Sequence, residues 1–158
     1  MTYHIAQINI GRILAPLDTP VMADFMNNLD RINALADETP GFVWRLVGEG
    51  NNATSIRPYE DDRMLINMSV WENISVLREF VYRTAHAEFL GRRAEWFEKL
   101  GAPIMVLWWI PAGQIPTPQE GAAKLDYLEA NGPTPLAFTF KKLFTVDEML
   151  KYMEKHGI

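Results

Sequence analysis

His86 stands in the run Phe80-Val81-Tyr82-Arg83-Thr84-Ala85-His86, with Phe89 and Arg93 shortly after it. An imidazole titrates near neutrality, so a histidine carried inward beside aromatic rings can act as a general base, a substrate hydrogen-bonder or a haem ligand. Tyr82 offers a phenol that can donate a proton or hold a carbonyl, and Arg93 a guanidinium that can clamp an anionic group. Gln7 and Asn9 share one face of an expected first strand, and amides on an internal face need partners or a ligand. Trp108 and Trp109 are neighbours in another expected strand and must point to opposite faces, so one of them is expected to line a pocket wall or a seam. The candidate set is His86 and Tyr82 for catalysis, with Asn9, Phe89, Arg93 and Trp108 for substrate. Each has a plain structural alternative: a core histidine satisfied by backbone groups, an arginine paired with Glu95 or Glu98, aromatic side chains that only pack.

Other chemistries lack their residues. The 158 residues include no cysteine, and the three histidines, at positions 4, 86 and 156, are too scattered for a multi-histidine zinc site. A formal charge of -5 and a pI near 5.2 argue against an electrostatic grip on nucleic acid or an acidic membrane. No glycine-rich phosphate loop, G-x-S-x-G elbow, H-E-x-x-H helix or carboxylate-rich metal pattern occurs, which removes support for kinase, hydrolase and dehydrogenase readings. The opening residues lack the basic start and apolar stretch of a secretory leader, so the expected compartment is the cytoplasm. His4 and His156 are expected at the surface, and Arg57 to Asp62 in a loop that could cover a pocket mouth.

The elements that must position the candidates follow from pattern. Residues 3–13 read as a strand covered on both faces; Thr19-Pro20 as an N-cap and first-turn proline; and Met22, Phe25, Met26, Leu29 and Ile32 as the buried stripe of a helix ending near Thr39-Pro40-Gly41. Strands are expected at 42–49, 63–71, 103–110 and 138–144. Between the third and fourth, a helical stretch from Asn73 or Ser75 to about Lys99 presents a phase conflict at about 100° per residue. Leu77, Phe80, Val81 and Thr84 make one stripe whose continuation falls on Glu88, Gly91 and Glu95, whereas Phe89, Leu90 and Phe97 lie opposite with Tyr82, His86 and Arg93. Either the helix breaks near Thr84-Ala85 and resumes with a rotated face, or it is packed on two sides. Thr117 and Thr145 begin capping-box patterns for two more helices, the second burying Val146, Met149, Leu150 and Met153. The order β-α-β-β-α-β with a helical extension is that of a ferredoxin-like α+β unit, one domain over residues 1–158. Its second sheet face needs a cover, for which a second copy of the chain is the simplest source.

Several segments carry a family resemblance: Asn28-Leu29-Asp30-Arg31-Ile32-Asn33-Ala34-Leu35-Ala36, Pro40-Gly41-Phe42-Val43-Trp44-Arg45-Leu46, Ser69-Val70-Trp71-Glu72, Phe80 to His86, and Leu107-Trp108-Trp109-Ile110-Pro111-Ala112-Gly113. In this order they resemble the bacterial DUF3291 family, of unknown function, over about residues 3–144, with residues 145–158 as a C-terminal helix. The resemblance implies a dimeric α+β barrel whose relatives include antibiotic-biosynthesis monooxygenases, haem-degrading enzymes, chlorite dismutase-like proteins and small-molecule isomerases, with the ligand between sheet and helices. Haem-degrading members use a first-strand Asn, a Trp and a helix His; Asn9 matches the first, while Phe80 and Leu90 stand at the other two positions.

The expectation is therefore a homodimer whose aromatic-lined pocket takes a small apolar or aromatic metabolite, acting by cofactor-independent monooxygenation or by isomerisation with His86 as base. The alternative is a non-catalytic carrier of haem or another small ligand. No cofactor is required by the residues, and haem is compatible with them.

Overall fold

The computed structural model describes residues 1–48, 54 and 59–158. Chain order is β1 (Tyr3–Arg12), a 3-10 turn (Pro20–Met22), α1 (Ala23–Glu38), β2 (Phe42–Arg45), β3 (Met64–Trp71), α2 (Ile74–Arg83), α3 (Ala85–Gly91), a second 3-10 turn (Arg93–Glu95), β4 (Met105–Pro111), α4 (Pro118–Asn131) and α5 (Val146–His156). The strands form one antiparallel sheet in the order β2-β3-β1-β4, which is the ferredoxin-like α+β topology expected from the sequence. Among the described residues no helix is long and apolar enough to cross a membrane.

Local signals explain most boundaries. Asn73 caps α2 by accepting from the Val76 N–H, and Thr145 with Glu148 closes a reciprocal capping box at α5. Thr117 accepts from the Glu120 N–H at α4. Thr19 departs from its expected role: its hydroxyl donates to the Pro16 carbonyl, and the chain enters α1 through the 3-10 turn. Leu150, expected in the core, is exposed on α5, whereas Met149 is buried.

The sheet is covered on both faces from within the chain. On one face Ile5, Trp71 and Leu107 pack with Ile32, Ala36, Leu77 and Phe80 from α1 and α2. On the other, Ala6, Ile8, Met68, Val70, Val106 and Trp108 pack with Leu125 and Leu128 of α4. Gly121 is what lets α4 sit this close: a Cβ there would fall 2.7 Å from the Ile8 side chain and 3.3 Å from Met68. A second copy of the chain is the cover expected for that face from sequence; α4 supplies one inside a single chain instead. The expected strand at 138–144 also reduces to isolated bridges. Phe138 exchanges both backbone hydrogen bonds with Leu107, but tight turns at Thr134–Ala137 and Thr139–Lys142 prevent a longer ladder.

Candidate functional site

Beneath α1, α2 and α3 lies a cavity of about 330 Å3, floored by the face of the sheet that carries Gln7, Asn9, Asn67 and Ser69. Register brings these four together: Gln7 pairs with Ser69 and Asn9 with Asn67 across β1 and β3, all pointing to one face. Gln7 Nε2 donates to Asn67 Oδ1 and to Ser69 Oγ, both at 2.8 Å. Asn9 Nδ2 donates to Gln7 Oε1 at 3.0 Å and to Asn67 Oδ1 at 3.1 Å. The buried indole of Trp71 donates Nε1–H to Ser69 Oγ at 2.8 Å. This accounting leaves Asn9 Oδ1, Asn67 Nδ2 and the Ser69 hydroxyl proton without partners among the described residues.

One wall comes from α1, whose Asn33 is only 8% exposed, lines the cavity and has no side-chain hydrogen bond among the described residues. Arg45 reaches the same space through a bulge. The register of β2 against β3 shifts between Phe42 and Trp44, which turns Trp44 to the far face and Arg45 opposite Ser69. Arg45 is buried and donates to both carboxylate oxygens of Asp37, at 2.8 and 3.2 Å.

The roof resolves the phase conflict of the helical stretch. Thr84 is extended, at φ −116° and ψ −174°, and separates α2 from α3. Its hydroxyl donates to the Phe80 carbonyl at 2.5 Å and accepts from the His86 N–H at 3.3 Å, closing one helix and opening the next. The break rotates the face of α3, so that His86, Phe89 and Leu90 all line the cavity. Phe89 stacks on Phe25 at 5.4 Å and packs on Trp96 at 4.9 Å.

His86 Nδ1 lies 3.2 Å from the Val81 carbonyl, which can only accept, so Nδ1 carries the proton. Nε2 keeps its lone pair and has no partner among the described residues. Burial pushes the His86 pKa below the usual imidazole value, and the hydrogen bond to Val81 opposes that shift only in part. The side chain is thus a neutral base of fixed tautomer at a largely apolar cavity.

Of the six predicted residues, five line the cavity: His86, Tyr82, Asn9, Phe89 and Arg93. Tyr82 stands at the rim, 48% exposed, edge-on to Phe140 at 5.4 Å. Arg93 donates to the Ile10 carbonyl at 2.6 Å and lies over the Phe97 ring at 4.9 Å. It does not take the expected carboxylate: Glu95 pairs with Arg92, which also holds Asp24, and Glu98 pairs with Arg12 and Arg63. Trp108 is the correction. Its parity on β4 places it, 3% exposed, in the core beneath α4, and Leu107 and Met105 face the cavity instead. His4, expected at the surface, is half-buried with an unpartnered, buried Nδ1. Arg57 and Pro58 of the proposed cover loop lie outside the described residues; Tyr59 of the same loop packs on the core under α4 rather than on the cavity.

Asn67, Ser69, Asn33, Arg45 and Trp71 were not singled out from sequence. A usable signal existed for the first two, since they share parity on β3 and are polar opposite Asn9 and Gln7. Among the described residues no group of three or more His, Asp or Glu side chains is arranged to hold a metal ion.

The model of a family described as a domain of unknown function, DUF3291, matches residues 4–154. No curated protein matches the chain. Among solved structures it is similar to SnoaB, a cofactor-independent oxygenase from Streptomyces nogalater, at 15% identity over 71% of this chain and 95% of that one, with a TM-score of 0.46. It is similar also to a conserved protein from Methanosarcina mazei Go1, at 14% identity over 69% and 92% with a TM-score of 0.48. A third is the NE2512 protein of unknown function from Nitrosomonas europaea, at 10% identity over 73% and 97% with a TM-score of 0.49.

Proposed function

The chain belongs to the DUF3291 family, whose function is unknown, and from the cavity itself we propose an enzyme that removes a proton from a small aromatic or apolar metabolite with His86 as base. The observation that carries this reading is the neutral His86, pinned through Nδ1 to the Val81 carbonyl with Nε2 unpartnered above a floor of amides. A base must be deprotonated to act, and burial keeps His86 so at neutral pH. The Asn67 amide N–H and the Ser69 hydroxyl supply hydrogen bonds to the oxygen of an enolate or phenolate formed when the proton leaves. Tyr82 at the rim can return a proton.

Two outcomes share this first step. Reprotonation at another carbon is an isomerisation, with no change in composition. In the oxygenase branch the carbanion gives its electrons to dioxygen, and an activated methylene RCH2R′ plus O2 becomes RCOR′ plus H2O, with no added cofactor. The test is exchange of an activated aromatic methylene, for which anthrone is the probe, with deuterium in D2O under anaerobic conditions, followed by oxygen uptake in air. Both rates are expected to fall by roughly 10²–10⁴ in His86→Ala. Unchanged exchange in the variant removes the base from His86.

A non-catalytic carrier is the second reading, and the unpartnered Nε2 favours it for haem as much as for a proton. The cavity fits less well: 330 Å3 lies at the low end for drug-sized ligands, and amides held together by hydrogen bonds occupy its floor. A His86-dependent Soret band on hemin titration would establish the carrier. A homodimer belongs to the same proposal. Because α4 already lies on the second sheet face, its contact is expected along β2, where Val43 is exposed together with nearby Val47; an equilibrium mass of about 18.1 kDa would exclude it.

A further inference from the structure

The charges around the cavity are one-sided. Its described lining contains two guanidinium groups, Arg45 and Arg93, and no carboxylate. Arg45 is balanced by Asp37 from α1. Arg93 has no carboxylate within ion-pair distance among the described residues, although Arg92 beside it holds two. Burial without a counter-charge disfavours a cation, and its arginine pKa is accordingly pushed down. The group is nonetheless held firmly, by the Ile10 carbonyl at 2.6 Å and the face of Phe97 at 4.9 Å, which leaves the rest of its N–H fork undirected toward protein.

Beside it stand amide N–H groups without a hydrogen-bond partner among the described residues. Asn33, 92% buried, faces the cavity from α1, and Asn67 Nδ2 faces it from β3. An uncompensated guanidinium and idle amide donors, set among Phe25, Phe89 and Phe97, describe a ligand with one anionic edge and a flat apolar body.

We propose that this cavity binds small aromatic carboxylic acids as their anions, with the carboxylate on Arg93, the ring system among the phenylalanines, and the reacting carbon toward His86. The inference rests on the proposed function for its location and for the last of these contacts. The anion preference itself needs only the cavity.

The experiment is calorimetric titration of the full chain with 2-naphthoate and, as its neutral isostere, 2-naphthamide. The naphthoate is expected to bind about ten- to a hundredfold more tightly than the amide, the range for one desolvated charge-assisted contact. In Arg93→Gln that ratio is expected to fall to near one while naphthamide affinity stays within about threefold. Arg93→Lys, which keeps the charge but loses the fork, is expected to recover part of it. His86→Ala is expected to leave the ratio intact. Equal binding of acid and amide by the unmodified protein, no binding of either, or a ratio unaltered in Arg93→Gln would each overturn the proposal. Anion binding with no His86-dependent deuterium exchange would leave it standing and sink the catalytic reading instead; the reverse result would do the opposite.

Discussion

Ser69→Ala removes one oxygen atom from the cavity floor and unseats two donors. Ser69 Oγ accepts from the Trp71 indole and from Gln7 Nε2, each at 2.8 Å, and all three residues are buried. Trp71 is 1% exposed and has no second acceptor among the described residues, so its N–H is orphaned outright, at a cost of about 1–3 kcal/mol. Gln7 keeps its bond to Asn67 Oδ1 and faces a cavity that can hold water, so its loss counts at the lower end. The expected destabilisation is about 2–3 kcal/mol, a factor of roughly 30 to 150 in the folded-to-unfolded ratio. Urea denaturation followed by tryptophan fluorescence should show the midpoint falling at unchanged slope. A double-mutant cycle with Trp71→Phe isolates the contact, because Ser69→Ala in that background leaves no indole to orphan. A coupling of about 1 kcal/mol or more is expected. A loss below about 0.5 kcal/mol for Ser69→Ala, or a coupling near zero, would refute the network as a structural unit.

His86 should impose a pH dependence of definite sign. Because burial lowers its native pKa, the unfolded chain binds more protons between that value and the usual imidazole pKa, and stability should rise with pH across that window, as read from denaturation midpoints. His86→Gln should flatten this slope, and the deuterium-exchange rate of the unmodified protein should reach its plateau at a pH below the ordinary histidine titration. Thr84→Ala deletes both hydroxyl contacts at the α2–α3 break and should cost about 1 kcal/mol; a shift in the His86 titration by NMR should accompany it, since the same contact sets the start of α3. Gly121→Val places atoms where Ile8 lies 2.7 Å from even a Cβ, and a penalty of about 1–3 kcal/mol is expected together with binding of an apolar dye to the unseated face.

What was legible in the sequence was whatever a local rule dictates. Isoleucine content marked β1, alternation marked β3, and capping residues marked α2, α4 and α5, while the conflict of helical phase around Thr84 allowed either a break or a helix packed on two sides, both of which carry His86 inward; the break is the one that occurs. That conflict was the most informative local feature, because an uninterrupted helix packed on one side only would have sent either Phe80 or His86 to solvent. The face chosen by Trp108 was not legible: two adjacent tryptophans satisfy the alternation rule either way, and only the packing of α4 decides between them. The role of Arg45 was hidden for a related reason, since without the bulge between Phe42 and Trp44 its parity would point it away from Ser69.

The cover of the second sheet face shows why pattern alone left that part open. The contact stripe of α4 consists of Gly121, Leu125 and Leu128, and a glycine adds nothing to an apolar count although it is the residue that permits close approach. That face is therefore met by a helix whose backbone comes close at Gly121 while Leu125 and Leu128 pack their side chains on the sheet. The consequence reaches the cavity. Because Ile8, Met68 and Val106 are completely buried beneath α4, the strands that carry Gln7, Asn9, Asn67 and Ser69 are braced from behind, and the amide floor has a rigid backing within a single chain.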